Sequence, residues 1–389
     1  MKKRILKTCA IIGGASLLLT ILNSWKNCVH IQASQMRSSN EIVQDMGLGW
    51  NLGNSLDSKV TWIPQDSSPS EFETGWGNPV TTQAMIDKIK EAGFKTIRIP
   101  VTWGEHMDSS NNVNEAWMNR VKEVVDYAIN DGLYVIINVH HDGSWCIPTY
   151  EKEKEVTPKL KKLWKQIAEK FKDYDDHLIF ETLNEPRVEG SENEWNGGTS
   201  EERDVVNKYN KAALKAIRST KGNNSSRCVI LPTYAASASE DAINDYEVPN
   251  DKNIIASIHT YSPYMFSMNA DSNVSTWGSY SDKIALDSEL DYLSKVFKAK
   301  GVPLIIGEFG SINKDNTSSR AAHAESYVEA AQMRDIPCIW WDNNKNEPNE
   351  WESFGLFNRN TLSWYSEEIK NALMGGYKNV HPDSSENDN

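Results

Sequence analysis

From about residue 46 onward, short runs of apolar residues alternate with longer segments in which apolar residues recur every three or four positions. The short runs lack the strict apolar and polar alternation of a half-exposed strand, so they read as strands buried on both faces. The longer segments read as amphipathic helices packed against them. Strands are predicted over 46–53, 96–101, 134–139, 178–183, 228–232, 254–259, 304–306 and 338–341. A short polar leader precedes the first strand, and a long loop reaches to about Val80. Thr81 or Thr82 then caps a helix running to Ala92, with Gly93 as its stop. Further helices are expected over 115–130, before the Asp131-Gly132 stop, and over 158–171, 201–219, 239–244, 282–299, 319–334 and 366–374.

Eight strands, each followed by a helix, predict an α/β protein built as a single (β/α)8 TIM barrel, with its active site at the C-terminal ends of the strands. An open, doubly wound sheet is the competing arrangement. Its Gly-rich phosphate turn is missing, because Gly47-Leu48-Gly49 lacks the third glycine at the required place.

The first 33 of the 389 residues stand apart from this pattern. Lys2, Lys3, Arg4 and Lys7 form a basic start, an apolar run follows over 9–22, and Ile31-Gln32-Ala33 offers a small residue for cleavage. This is the layout of a bacterial-type secretory signal peptide, so a secreted protein is expected. The apolar run falls short of the roughly 18 residues of a membrane span. An uncleaved N-terminal anchor is the alternative, and no second candidate span follows. Residues 34–380 are expected to form the catalytic barrel, and 381–389 a disordered acidic tail. A monomer is expected.

Charge narrows the partners. The leader carries five Lys/Arg and no acid, so its removal takes the formal net charge from −13 to −18. That argues against nucleic acid, whose affinity comes largely from Lys and Arg neutralising phosphates. A neutral polymer is compatible, and no membrane contact is expected of the mature form. Of five cysteines, Cys146, Cys228 and Cys338 remain after the leader; they form neither a disulfide framework nor a zinc pattern. One disulfide with a free thiol, or three buried thiols, both fit. Thirteen of the fourteen tryptophans lie beyond the leader. Trp62, Trp76, Trp103, Trp145, Trp195, Trp277, Trp340, Trp341 and Trp351 fall in or near loop-like segments, where indole faces suit either packing or sugar rings.

The predicted strand ends deliver Arg98, His140 and His141, Asn184 and Glu185, His259 and Tyr261, Glu308, and Trp340 and Trp341, with Asn51 and Asn54 placed to line a cleft. Two carboxylates with an arginine, histidines and a tyrosine suit cleavage of an acetal. One acid protonates the leaving oxygen and the other acts from the opposite side of the sugar ring. Glu181, four residues before Glu185 and on the same strand face, is expected deeper in the barrel, paired with Arg98 or a neighbour.

The series Gly49-Trp50-Asn51-Leu52-Gly53-Asn54, Arg98-Ile99-Pro100, His140-His141, Asn184-Glu185-Pro186, His259-Thr260-Tyr261, Gly307-Glu308-Phe309-Gly310 and Trp340-Trp341-Asp342-Asn343 resembles glycoside hydrolase family 5, the cellulase family. The likeness runs over about 47–365. It points to the bacterial endo-β-1,4-glucanase branch that includes lichenases and xyloglucanases. The resemblance implies a retaining mechanism with Glu185 as general acid/base and Glu308 as nucleophile. It implies further that Asn184 bonds the sugar 2-hydroxyl, Arg98 and Tyr261 hold Glu308 ionised, His259 neighbours Glu185, His140 contacts the sugar and Trp341 forms its floor. Glu185 is expected to rest protonated, raised by burial and by the nearby Glu308. His141 and Trp340 are left open, because adjacent strand residues point to opposite faces.

No cofactor is implied. A metal-dependent hydrolase is the rival reading, suggested by His140-His141-Asp142 and His259, but two adjacent histidines cannot both point inward from a regular strand. A non-catalytic carbohydrate-binding barrel would have lost one of the two acids. The expected substrate is a β-1,4-linked glucan attacked internally, with xyloglucan, mixed-linkage β-glucan and mannan as alternatives.

Overall fold

In the computed structural model, residues 36–382 are described. Eight parallel strands close into a barrel: β1 Leu48–Asn51, β2 Thr96–Ile99, β3 Tyr134–Asn138, β4 Leu178–Glu181, β5 Val229–Pro232, β6 Ile254–His259, β7 Leu304–Phe309 and β8 Cys338–Trp340. Closure is made by β1, which pairs with both β2 and β8. Every strand residue from β1 to β8 is buried, as expected for strands covered outside by helices and filled inside by side chains.

Register places the polar strand ends side by side. Asn51 of β1 lies opposite Arg98 of β2, Asn138 of β3 opposite Glu181 of β4, and His259 of β6 opposite Glu308 of β7. The last pair follows a register shift at Ile258/His259, and a second shift separates Ile306 from Phe309. Bulges of this kind re-aim side chains at the rim of a barrel. β7 accordingly runs three residues beyond the predicted 304–306. Gly307 had the look of a strand end, but an added Cβ there would sit 2.9 Å from both His259 Nε2 and Ser257 Oγ. The glycine lets β7 pass close beneath His259.

The opposite end of the barrel is plugged by a helix where a polar leader was expected. Ser39–Met46 opens on a capping box between Ser38 and Glu41. Its apolar side places Ile42, Val43 and Met46 in one cluster with Ile136, Ile179, Ile230, Ile255, Ile305 and Ile339, one isoleucine from each strand of β3 to β8. Burying each such side chain stabilises the fold by about 1.5–3 kcal/mol. A second, larger cluster joins the outward faces of the strands to the helices.

The outer helices follow their predicted stripes, with two corrections. The helix expected from Pro158 starts at Tyr150 and runs to Lys170, because Thr149 caps it through the Lys152 amide. Pro158 therefore lies inside it, at the cost of one backbone hydrogen bond, while Val156, Leu160, Leu163, Trp164 and Ile167 carry the buried stripe past it. The last helix spans Glu367–Val380 rather than stopping at Met374. Gly376 is a point of close approach, where an added Cβ would meet the Glu325 carbonyl of helix Thr317–Gln332 at 2.3 Å.

Cys146, Cys228 and Cys338 are three buried free thiols. No helix among the described residues is long and apolar enough to cross a membrane. The predicted signal segment lies outside the described residues, as do 383–389 of the predicted tail; His381, at the start of that tail, still bonds Gln332 through Nε2.

Candidate active site

Arg98, at the top of β2, is wholly buried and bonds four side chains. Its Nε donates to Glu181 at 2.8 Å, Nη1 to Glu308 at 2.8 Å and to Asn51 at 3.0 Å, and Nη2 to the Asn184 Oδ1 at 2.7 Å. Glu181 also accepts from Asn138 at 2.9 Å. It lies beneath the cleft, as expected from its place on the strand. Asn51 donates its amide to the Gly307 carbonyl at 3.0 Å, holding the residue just before Glu308.

The second oxygen of Glu308 accepts from the Tyr261 hydroxyl at 2.7 Å. A guanidinium on one oxygen and a phenol on the other fix this carboxylate's rotamer. Glu185 emerges just beyond β4 and meets His259 Nδ1 at 2.8 Å. The same nitrogen is 3.6 Å from Glu308, so the imidazole bridges the two acids, whose facing oxygens lie within 4.8 Å of each other.

This bridge corrects one expectation. Burial raises the Glu185 carboxyl, but the His259 hydrogen bond and charge, followed by Arg187 and His141, outweigh it and leave Glu185 below its ordinary value. Burial likewise opposes a charge on His259, and Glu308 and Glu185 together overcome it, so His259 is raised above 6.5. In the unliganded site the proton belongs to the pair rather than to Glu185 alone.

His140 and His141 both face the cleft. Regular strand geometry ends at Asn138, so alternation no longer forces them apart. His140 shares a hydrogen bond with Asn138 through Nδ1 and lies parallel to Trp341 at 5.8 Å and 2°. Trp340 takes no part: it is fully buried, donates to the Phe354 carbonyl and packs its edge on Phe309. The residue after it, Trp341, lines the cleft.

The cleft has a volume of about 1060 Å³. Of the loop tryptophans, Trp76, Trp195, Trp341 and Trp351 line it, whereas Trp103 and Trp277 are buried. Trp62 is exposed away from it, and Trp145 is held by Asp142 and covered by Lys159. Several residues that support or line the site were not foreseen. Asn138 was within reach, two positions before His140 on the same strand. Arg187, Lys345 and Glu352 lie in loops, where no periodicity reveals direction. Burial and the charges of Glu308 and Glu185 raise the Glu352 carboxyl, with Lys345 opposing them.

Two donor sets in the site are compact enough to hold a cation: Asp57, His140 and His141, and Glu185, His259 and Glu308. The second is already satisfied internally by the bonds above. In the first, both Asp57 oxygens accept backbone amides, from Asn54 and Ser55.

The family model for cellulase, glycosyl hydrolase family 5, matches residues 57–347. Endoglucanase A of Clostridium longisporum is 65% identical over 389 residues, covering 100% of this chain and 75% of the relative. The solved broad-specificity endoglucanase from that organism superposes with a TM-score of 0.88 at 68% identity, covering 89% of this chain and 100% of the other. A broad-specificity endoglucanase from Ruminococcus champanellensis with bound cellotriose does so with a TM-score of 0.84 at 44% identity, covering 88% and 100%. With the two facing acids, the Arg98 hub and these likenesses in hand, the chain belongs to the cellulase family, glycosyl hydrolase family 5.

Proposed function

We propose that the protein is a retaining endo-β-1,4-glucanase that cleaves internal bonds of cellulose-type glucans by double displacement. The observation that carries this is the pair Glu185 and Glu308, with facing oxygens within 4.8 Å. Retaining glycosidases hold their carboxyls about 5–5.5 Å apart, and inverting ones leave room for a water at about 6.5–9.5 Å. Glu308, held by Arg98 and Tyr261, attacks the anomeric carbon, while Glu185 gives its proton to the departing glycosidic oxygen. Water then enters, loses a proton to Glu185 and breaks the glycosyl–Glu308 ester.

Supporting roles follow from which atoms are already used. Asn184 spends its Oδ1 on Arg98, so its amide Nδ2 remains to donate to the sugar 2-hydroxyl. His140 spends Nδ1 on Asn138, leaving Nε2 toward the cleft. Trp341 offers its face as the floor for the sugar under attack. Trp76, Trp195 and Trp351 at the margins favour a long chain lying across the site. The small residues Ala235, Ser237 and Ala238 in one wall favour a second substrate on the same mechanism, xyloglucan, whose side branches need room. The basic and apolar leader supports a secreted enzyme, in keeping with a polymer too large to be taken up whole.

Two measurements test the reading. On a panel of cellulose derivatives, xyloglucan, lichenan and mannan, viscosity should fall faster than reducing ends appear, and parallel changes would argue for attack from chain ends. Glu308→Gly should lose hydrolysis yet cleave an activated cellobioside when azide is supplied; absence of that recovery counts against Glu308 as nucleophile.

A further inference from the structure

The loop after Glu185 holds a charge arrangement that the catalytic assignments leave unused. Glu185 spends Oε1 on His259 at 2.8 Å, so Oε2 is the oxygen left to meet a departing glycosidic oxygen. Arg187 lies against that second oxygen. Its Nη1 is 3.5 Å from Oε2 and donates to the Glu185 backbone carbonyl at 3.0 Å. The same guanidinium is drawn the other way by Glu194, which accepts from its Nε at 2.9 Å and from the Gly190 amide at 2.7 Å. The Trp195 ring, its centre 4.3 Å from the guanidinium carbon, adds a cation–π contact. The cation is thus fixed, and it sits nearer to the acid that does no chemistry than to the one that does.

Other charged or titratable groups face Glu185 from several elements. His259 comes from β6, Glu308 from β7, Tyr261 and His141 from the loops after β6 and β3, and Glu352 from the loop after β8. His259, Glu308 and Tyr261 belong to the reacting cluster. Burial pushes His141 down to about 4, so it carries no charge near neutrality. Arg187 is therefore the one permanent cation in contact with Glu185 among the described residues. Desolvation opposes a charge on Glu194, but Arg187 and the Gly190 amide outweigh it and leave this carboxyl below its ordinary value. Glu194 thus stays negative and holds part of the Arg187 charge away from Glu185.

We infer that Arg187 is a positioning residue for the proton donor, divided between Glu185 and Glu194, and that this division decides how firmly the catalytic proton is held. The inference rests on Glu185 being the proton donor. A guanidinium turned wholly to Glu185 would favour the bare carboxylate, which has no proton to give to the leaving oxygen. With no guanidinium there, the carboxyl would keep its proton too long to act as the base in the second step. Glu194 sets the balance between the two from outside the reacting atoms.

The test is the alkaline limb of kcat/KM on cellotetraose, which reports loss of the proton shared by Glu185 and His259. Arg187→Met removes the positive charge beside Oε2, so the limb should rise by about one pH unit. Glu194→Gln removes a negative charge and frees Arg187 to turn to Glu185, so the limb should fall by about half a unit. A loop with a merely structural role would not give movements of opposite sign. Arg187→Lys keeps the charge and should return the limb most of the way to its wild-type position. A limb that stays put in either of the first two variants, or moves the same way in both, would overturn the inference. Should Arg187→Met not fold, Glu194→Gln decides alone. Dinitrophenyl β-cellobioside has a leaving group that departs without a proton, so its wild-type kcat/KM should lack the alkaline limb. The same limb on both substrates would mean that Glu185 is not the proton donor, and the proposed function would have failed rather than the role of Arg187.

Discussion

The imidazole of His259 sits 2.8 Å from Glu185 through Nδ1. With Glu185 lowered by His259, and His259 raised by Glu308 and Glu185, the last proton of the pair is lost only above pH 6.5. The alkaline limb of kcat/KM in the wild type should therefore lie above that value. His259→Phe removes the shared site and leaves the proton on a carboxyl alone, so the limb should move to lower pH and the maximal rate should fall. A limb that stays put in the variant would show that His259 does not hold the catalytic proton.

Glu181 stands beneath the reaction and not in it. It is wholly buried, and one oxygen accepts from both Arg98 and Asn138. Glu181→Gln weakens a buried ion pair and should lower unfolding stability by about 3 kcal/mol, with reduced but measurable turnover. A variant with the wild-type denaturation midpoint and no turnover would place Glu181 in the chemistry.

His106 makes acid stability a local matter. It stacks on Trp117 at 3.6 Å, and burial depresses it to about 3. Its folded value is below the ordinary 6.5, so the unfolded chain takes the proton first. Stability is complete above pH 6.5 and declines as pH falls toward 3. One such proton is worth about 1.4 kcal/mol per pH unit. Urea midpoints of His106→Phe at pH 7 and pH 5 should show a correspondingly shallower decline than the wild type.

The thiols report on the leader. Burial raises Cys146, Cys228 and Cys338, the second to about 12, so the native protein should not react with a thiol reagent. After unfolding without reductant, three thiols should titrate in the secreted form. Five would mean that Cys9 and Cys28, and with them the leader, are retained.

Much of the barrel is legible in the chain because apolar runs buried on both faces leave few other folds. The acids are legible for the same reason: Glu185 and Glu308 each end such a run. Counting by two along a strand is enough to place Glu181 beneath Glu185. Counting fails where the strand stops, as at His140 and His141. It also fails where function sits in loops, as with Arg187, Trp195 and Glu352. The helix Ser39–Met46 is hidden because four buried side chains among polar ones, Ser39, Ile42, Val43 and Met46, make too short a stripe to stand out. The proton shared by Glu185 and His259 depends on contact between residues 74 apart, which no local pattern encodes.

The four partners of Arg98 belong to segments that are made at different times during synthesis. Asn51 comes with β1, Glu181 and Asn184 with β4 and just after it, and Glu308 only with β7. A growing chain that has reached β4 already contains a carboxylate to neutralise the cation it must bury. No nascent fragment ending before β7 contains Glu308, the proposed nucleophile. The proposed displacement therefore cannot occur until β7, the next-to-last strand of the barrel, has been made.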